Sequence, residues 1–125
     1  MGKRFRPYYP DDDLLLPPSL RDWLPEDHLA YLVNDVVDNL DLSAMEAVYG
    51  NEKRGQPPYD PRMMTKVLVY AYCVGVFSSR KIARRLVEDI AFRVLAAGNQ
   101  PDFRTISDFR KIHLGALEGL FEKRI

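Results

Sequence analysis

The sequence has few of the features that crosslink a chain, insert it into a membrane or export it. Cys73 is its only cysteine, so no internal disulfide can form, and a reducing compartment, the cytoplasm, is expected. The longest apolar run, VLVYAYCVGVF (67–77), is about half as long as a membrane span. We interpret this run as a buried core helix in which Cys73 is inert packing, and expect no membrane partner. No apolar segment follows the basic start MGKRFRPYY, so no secretory signal is predicted.

The residue patterns of enzymes and metal sites are also missing. His28 and His113 are the only histidines, and neither has the spacing of a zinc motif. There is no glycine-rich phosphate loop, no GxSxG and no Cys/His nucleophile pattern. The run Asp11-Asp12-Asp13 is interpreted as solvated, because consecutive side chains point in different directions. We therefore predict no catalytic residue, no metal site and no cofactor in this chain, and a core position for His113.

Charge is balanced in total but divided along the chain. Lys plus Arg and Asp plus Glu each number 18. Residues 1–60 carry 6 basic and 12 acidic side chains, a net of −6, and residues 61–125 carry 12 and 6, a net of +6. Such asymmetry predicts a polyanionic partner for the basic half. An acidic half packed against a basic half fits the same counts.

The apolar periodicity predicts an all-α fold, a single compact domain of about five or six helices. Four prolines interrupt residues 1–24, which are predicted to be an irregular N-terminal arm, and residues 25–125 are predicted to be the helical domain. The first helix is expected to begin near Pro25, with Glu26 and Asp27 in its first turn. Its core-facing positions are predicted to be Leu29, Leu32, Val33, Val36, Val37 and Leu40.

Capping patterns predict where the next helices begin. Ser43 with Glu46 forms a capping box for a short second helix that ends at Gly50. Asp60-Pro61 supplies an N-cap and a first helical residue for the third helix, which contains the apolar run.

The last predicted helix begins at a second capping box, formed by Thr105 and Asp108. Its apolar stripe passes through position 112 or 113. Gly115 and Gly119 weaken its middle by about 1 kcal/mol each relative to Ala, and either permit close packing or mark a kink.

A cationic helix is predicted in SSRKIARRLVED (78–89), capped by Ser78 or Ser79. On a helical wheel the cations share one face and the aliphatic side chains share the opposite face. The cations are Arg80, Lys81, Arg84 and Arg85. We predict that this face contacts phosphates, and a merely solvated face is the alternative.

The segment DFRTISDFRKIH (102–113) places further DNA-compatible side chains near a helix N-terminus, the part of a recognition helix that reads the major groove. These side chains are Arg104, Thr105, Ser107, Arg110 and Lys111. Arg suits guanine and phosphates, and Thr or Ser suits backbone oxygens or a thymine methyl. The two segments are predicted to form a helix-turn-helix-like DNA-binding portion, although a short helix between them makes their spacing longer than in a tight helix-turn-helix.

Five landmarks occur in order within residues 15–30 and 59–113: L-P-E-D-H-L, Y-D-P-R-M-M, S-S-R-K-I, E-D-I-A-F-R and P-D-F-R-T-I-S-D-F-R. With them the chain resembles the N-terminal domain of bacterial insertion-sequence transposases of the InsH-like, DDE type. The resemblance implies a helical domain that recognises transposon ends. It also implies an RNase H-like catalytic domain with three metal-binding carboxylates, which we expect to be absent from this chain together with its divalent metal.

The charge pattern predicts binding to double-stranded DNA, and the resemblance implies that this DNA is a transposon terminal repeat and that the chain is not an enzyme by itself. The cationic helix would hold phosphates, the 102–113 segment would approach the groove, and Lys3, Arg4 and Arg6 would form a flexible arm on an adjacent groove. The main alternative is a protein–protein module that forms homo-oligomers or inhibits a full-length transposase through mixed oligomers. A further alternative is a non-functional truncated remnant.

Overall fold

The computed structural model describes residues 5–6, 24–47 and 59–124, with the backbone alone for residue 114 and residues 120–124. Within these ranges the chain has helices and no strand, which confirms the all-α prediction. The helices are α1 (Leu29–Asp38), α2 (Ser43–Ala47), α3 (Pro61–Cys73), α4 (Ser79–Glu88), α5 (Ile90–Leu95) and α6 (Phe103–Arg124). They surround one hydrophobic core. Lys3, Arg4 and the predicted end of the second helix at Gly50 lie outside the described residues.

The helix α3 is central because α1 and α5 both pack against it. As predicted, Asp60 caps it: the carboxylate accepts hydrogen bonds from the backbone N–H groups of Arg62 (2.8 Å) and Met63 (3.3 Å). Pro61 is the first helical residue, where its missing N–H leaves no bond unmade. The buried residues of α3 are Pro61, Met63, Met64, Thr65, Lys66, Val67, Leu68, Tyr70 and Ala71.

The prediction that the whole apolar run 67–77 is buried is wrong for most of the residues after Ala71. The helix α3 ends at Cys73, and Gly75 adopts a left-handed φ of +81° while the Val76 N–H donates to the Ala71 carbonyl at 2.8 Å. This Schellman-type end reverses the chain and keeps only Val76 of the last residues buried. Cys73 is exposed, so its predicted role as inert core packing is wrong.

The helix α1 begins later than predicted and buries only part of the predicted face. It starts at Leu29 rather than near Pro25, because the Nδ1 of His28 accepts the Ala30 N–H at 3.0 Å and caps the helix there. The core-facing assignment is wrong for Leu29 and Leu32, which are 39% and 60% exposed. The buried residues of α1 are Ala30, Val33 and Val37.

Two cations from α3 hold the C-terminal end of α1. The Arg62 guanidinium donates to the carbonyls of Val37 and Leu40, the latter at 3.1 Å. The Lys66 ammonium, fully buried, lies 2.9 Å from a carboxylate oxygen of Asp38. Positive charge is favourable there because the last carbonyls of a helix carry partial negative charge. These two basic residues are therefore used inside the domain.

At both predicted capping boxes, the side chain that accepts the backbone hydrogen bond is an aspartate two or three residues before the predicted cap. The Ser43 N–H donates to the Asp41 carboxylate at 3.0 Å, which makes Ser43 the first residue of α2 rather than its cap. The Thr105 N–H donates to the Asp102 carboxylate at 2.8 Å, and α6 already begins at Phe103. Both predicted caps are therefore wrong: aspartates, which are also favoured near helix N-termini, accept the backbone N–H groups in place of the predicted serine and threonine.

A kink at His113, with φ −110° and ψ 16°, divides α6. The His113 ring is buried and its centroid lies 4.4 Å from that of Phe109, whereas Ile112 is 55% exposed, so the stripe passes through position 113. A Cβ placed on Gly115 or Gly119 would meet none of the described atoms within 4 Å. Of the two predicted alternatives, the described structure has a kink, just before Gly115.

The free energy of unfolding is expected to decrease as the pH falls, because burial lowers the pKa of His113. In the unfolded chain this imidazole protonates near its ordinary pKa of about 6.5. Its contribution to stability is therefore complete above about pH 6.5 and is lost as the pH falls through the lower folded pKa. Urea unfolding at about pH 7.5 and about pH 5.5 should show this loss, and His113→Leu should reduce it. An unchanged pH dependence in the variant would contradict the assignment.

Candidate nucleic-acid interface

The helix α4 forms with the two faces that the sequence predicts. Ser78 is the N-cap, and its hydroxyl accepts the Lys81 N–H at 3.3 Å. Ile82 and Leu86 are buried at 1% and 0% exposure and fasten the helix to the core. The four predicted cations, Arg80, Lys81, Arg84 and Arg85, are all exposed. The aliphatic face thus positions α4 so that its positive charge faces solvent.

One of these cations is partly neutralised at the junction between α4 and α5. A single residue, Asp89, separates the two helices, and its carboxylate caps α5 by accepting the N–H groups of Ala91 (2.9 Å) and Phe92 (3.3 Å). The same carboxylate lies 3.4 Å from the Arg85 guanidinium. Within the described part of the chain Lys81 and Arg84 make no ion pair, so they leave more charge available than Arg85 does.

The start of α6 is fixed by Asp102, a residue that the sequence analysis did not single out. Hydrogen bonds from Thr105, aided by the charge of Arg104, hold the pKa of this carboxyl below its ordinary value. Arg104 is exposed in the first turn, and Thr105 is half-buried beside it. The Asp-x-x-Thr spacing could have identified the cap from the sequence, since it matches an N-cap and the third helical residue.

Phe103 brings two of the predicted cations together. The Arg80 guanidinium carbon lies 3.9 Å from the centroid of the Phe103 ring, and that of Arg104 lies 5.8 Å away. A ring face attracts cations and restricts their motion. Arg80 comes from α4 and Arg104 from α6, so this half-buried aromatic joins the positive charge of both helices. The role of Phe103 could not be identified from the sequence, because no local pattern shows that the two helix starts meet.

Arg110 is engaged within the domain. Its guanidinium donates to the carbonyl of Phe77 at 2.7 Å and to the hydroxyl of Ser79 at 3.2 Å. These bonds tie the second turn of α6 to the residues that begin α4. Arg110 is therefore placed to position the two helices, and the structure gives it contacts that a groove-reading arginine would have to leave.

The remaining predicted residues of α6 are distributed over several faces. Lys111 is exposed and makes no ion pair in the described part of the chain, and Ser107 is half-buried. The structure thus brings Arg80 and Arg104 together on Phe103 and places Arg110 against the start of α4, whereas Arg85 pairs with Asp89. Arg6, predicted as part of a flexible arm, instead lies with its guanidinium 4.4 Å from the ring centroid of Tyr59.

Other types of site are not found among the described residues. No group of three or more His, Cys, Asp or Glu side chains there could hold a metal ion. The described helices include none whose length and apolar content would allow it to cross a membrane.

Comparison with known proteins gives one family. No curated protein and no solved structure matches the chain significantly. The family model described as a transposase domain, DUF772, matches residues 18–112, which are most of the chain and include both α4 and the first turns of α6. The chain therefore belongs to the DUF772 family of transposase domains.

Proposed function

We propose that this domain binds double-stranded DNA at the ends of a transposable element, as the N-terminal, non-catalytic part of a transposase. The observation that carries the proposal is the meeting of Arg80 and Arg104 on Phe103. Two guanidinium groups from different helices are held on a solvent-facing surface, where neighbouring phosphates can be bound without first ordering either side chain. Arg side chains suit this task because their planar donors match phosphate oxygens.

The distribution of ion pairs supports a polyanionic partner over pairing of the two halves of the chain. Lys66 pairs with Asp38 of the acidic half, and Arg62 binds carbonyls of that half. The exposed cations of α4 and α6 make no such contacts in the described ranges, and their one ion pair, between Arg85 and Asp89, lies within the basic half. Contacts within the described domain therefore neutralise only part of the positive charge of the basic half.

Roles follow from how each side chain is held. Lys81 and Arg84, together with Arg80, would contact phosphates, with a smaller contribution from Arg85 because of its bond to Asp89. Arg104, beside Arg80 on Phe103, would bind a phosphate at the edge of the groove, and Lys111 would approach the groove. Thr105 and Ser107 are half-buried and would reach only the near backbone oxygens. Arg110 would act by positioning α6 against α4 rather than by reading bases.

We assign no catalytic residue to this domain, because its sequence has no catalytic motif. The metal-dependent chemistry that the resemblance to DDE transposases implies would be carried by a separate catalytic domain. In this proposal the present domain selects the DNA and the catalytic domain cuts it.

A salt titration of duplex binding tests the proposal. The logarithm of affinity should fall linearly with the logarithm of salt, by about 0.9 for each phosphate contact. The double variant Arg80→Ala, Arg104→Ala should lower that slope by about 1.8. Lys53→Ala with Arg54→Ala changes the net charge equally, outside the described residues, and serves as the control. Salt-independent binding, or equal losses in both variants, would contradict the proposed interface.

A further inference from the structure

Phe77 is exposed although the sequence places it in the most apolar run of the chain. Its side chain is 57% exposed, whereas the preceding Val76 is 6% exposed and packs into the core. The left-handed turn at Gly75 produces this difference, because it ends α3 before the run is complete. Tyr72, 61% exposed, lies against Phe77, so the two rings form a contiguous exposed aromatic pair. Contiguous exposed apolar surface, unlike a single exposed side chain, marks an interaction site.

The backbone around Phe77 is held from both sides. Its carbonyl accepts a hydrogen bond from Arg110 of α6, and the next residue, Ser78, caps α4. Tyr72 meets the Phe77 ring edge to face, with centroids 5.7 Å apart and ring planes at 66°. The exposed ring is thus in a fixed position on the surface rather than on a loose loop.

Positive charge lies next to the same position. The Arg110 guanidinium donates to the Phe77 carbonyl, and Arg80 and Lys81 follow in sequence within the first turn of α4. An exposed aromatic ring with a guanidinium at its own backbone is complementary to a ligand that has both a flat apolar surface and negative charge. A nucleotide has both, in its base and its phosphate, and aromatic rings beside cationic grooves are how proteins hold unstacked bases.

We propose that Phe77, supported by Tyr72, stacks on an unpaired base of the DNA whose phosphates α4 and α6 hold. This inference rests on the proposed DNA binding. The faces of bases in an intact duplex are covered by their neighbours, so the ring needs an overhang, a frayed end or a single-stranded segment. The domain would then prefer DNA in which paired and unpaired parts meet.

Binding to duplexes with and without a single-stranded extension tests the inference. Blunt DNA and DNA with a 5′ or a 3′ extension share the same paired part, and 2-aminopurine in the extension reports stacking by loss of fluorescence. Wild type should bind an extended duplex about 5- to 150-fold more tightly than the blunt one, as expected for one stacked base. Phe77→Ala should remove most of this preference and the quenching, while Phe77→Trp should keep them.

Two measurements separate the failure of this inference from the failure of the proposed function. Phe77→Ala should bind blunt duplex with the wild-type salt slope, and Leu32→Ala, which alters another exposed apolar side chain (60% exposed), should keep the preference for extended DNA. Equal wild-type binding to blunt and extended DNA, or a preference that survives Phe77→Ala, would overturn the inference alone. No wild-type binding to any of these DNAs would overturn the proposed function and the inference with it.

Discussion

Replacing Arg80, Lys81, Arg84 and Arg85 together by alanine should weaken duplex binding about 10²- to 10³-fold at about 0.1 M salt. Four lost phosphate contacts remove about 3.6 from the slope of log affinity against log salt. Over the decade between about 0.1 M and 1 M salt that slope corresponds to more than 10³-fold, and the bond between Arg85 and Asp89 reduces it. Fluorescence anisotropy across a salt series measures both the affinity and the slope.

The fourfold variant should remain folded, since all four side chains are exposed and alanine has the highest helix propensity. Circular dichroism checks this. A control with the same change in net charge is Lys53→Ala, Arg54→Ala, Lys123→Ala and Arg124→Ala, which leaves α4 intact. If this control loses as much affinity and slope as the α4 variant, the cationic face of α4 has no special part in binding. An unchanged affinity in the α4 variant would refute the docking model directly.

Local patterns predicted the elements of the fold well where local chemistry decides the structure. Asp60-Pro61 begins α3 as expected, because a carboxylate that accepts two backbone N–H groups needs only its own neighbours in sequence. The two faces of α4 follow in the same way from the spacing of its aliphatic residues Ile82 and Leu86. Both features can be derived without knowing what the helix packs against.

The predictions that failed depend on which elements meet. The apolar stripe of α1 is wide enough to pack on several faces, and contact with α3 selects Ala30, Val33 and Val37 over Leu29 and Leu32. Arg110 was predicted to approach the groove because it is a basic residue early in a helix. Its engagement by the carbonyl of Phe77, 33 residues away, arises only from the packing of α4 and α6.

The candidate interface likewise combines features that local sequence determines with features that tertiary contacts determine. Its cations could be identified from the sequence because they cluster in two short segments. Phe103 could not, since its importance lies in the approach of Arg80 from another helix. Likewise the exposure of Phe77 results from the chain reversal at Gly75, and composition alone favours burial for VLVYAYCVGVF. Residue type thus predicts the charge of the surface. Tertiary contacts determine which side chains are held in fixed positions on that surface.

Phe92→Ala should cost about 3–5 kcal/mol of unfolding free energy, a large part of the roughly 5–15 kcal/mol typical of a folded domain. Phe92 is fully buried in α5, and its ring meets that of Tyr70 from α3 edge to face, with centroids 5.1 Å apart. The helix α5 has only six residues, so its attachment depends on these contacts rather than on its own helical stability. Removing the ring leaves a cavity and loosens the connection between α4 and the core.

Urea unfolding monitored by circular dichroism measures this loss, and Phe77→Ala is the matched control. The same side chain is deleted there from an exposed position, so the expected change is within about 0.5 kcal/mol. A loss below about 1 kcal/mol for Phe92→Ala would mean that α5 does not pack as described. The two variants also separate stability from binding. Phe92→Ala should reduce DNA binding only by increasing the unfolded fraction. Phe77→Ala should weaken binding to DNA with an unpaired extension and leave the free energy of unfolding unchanged.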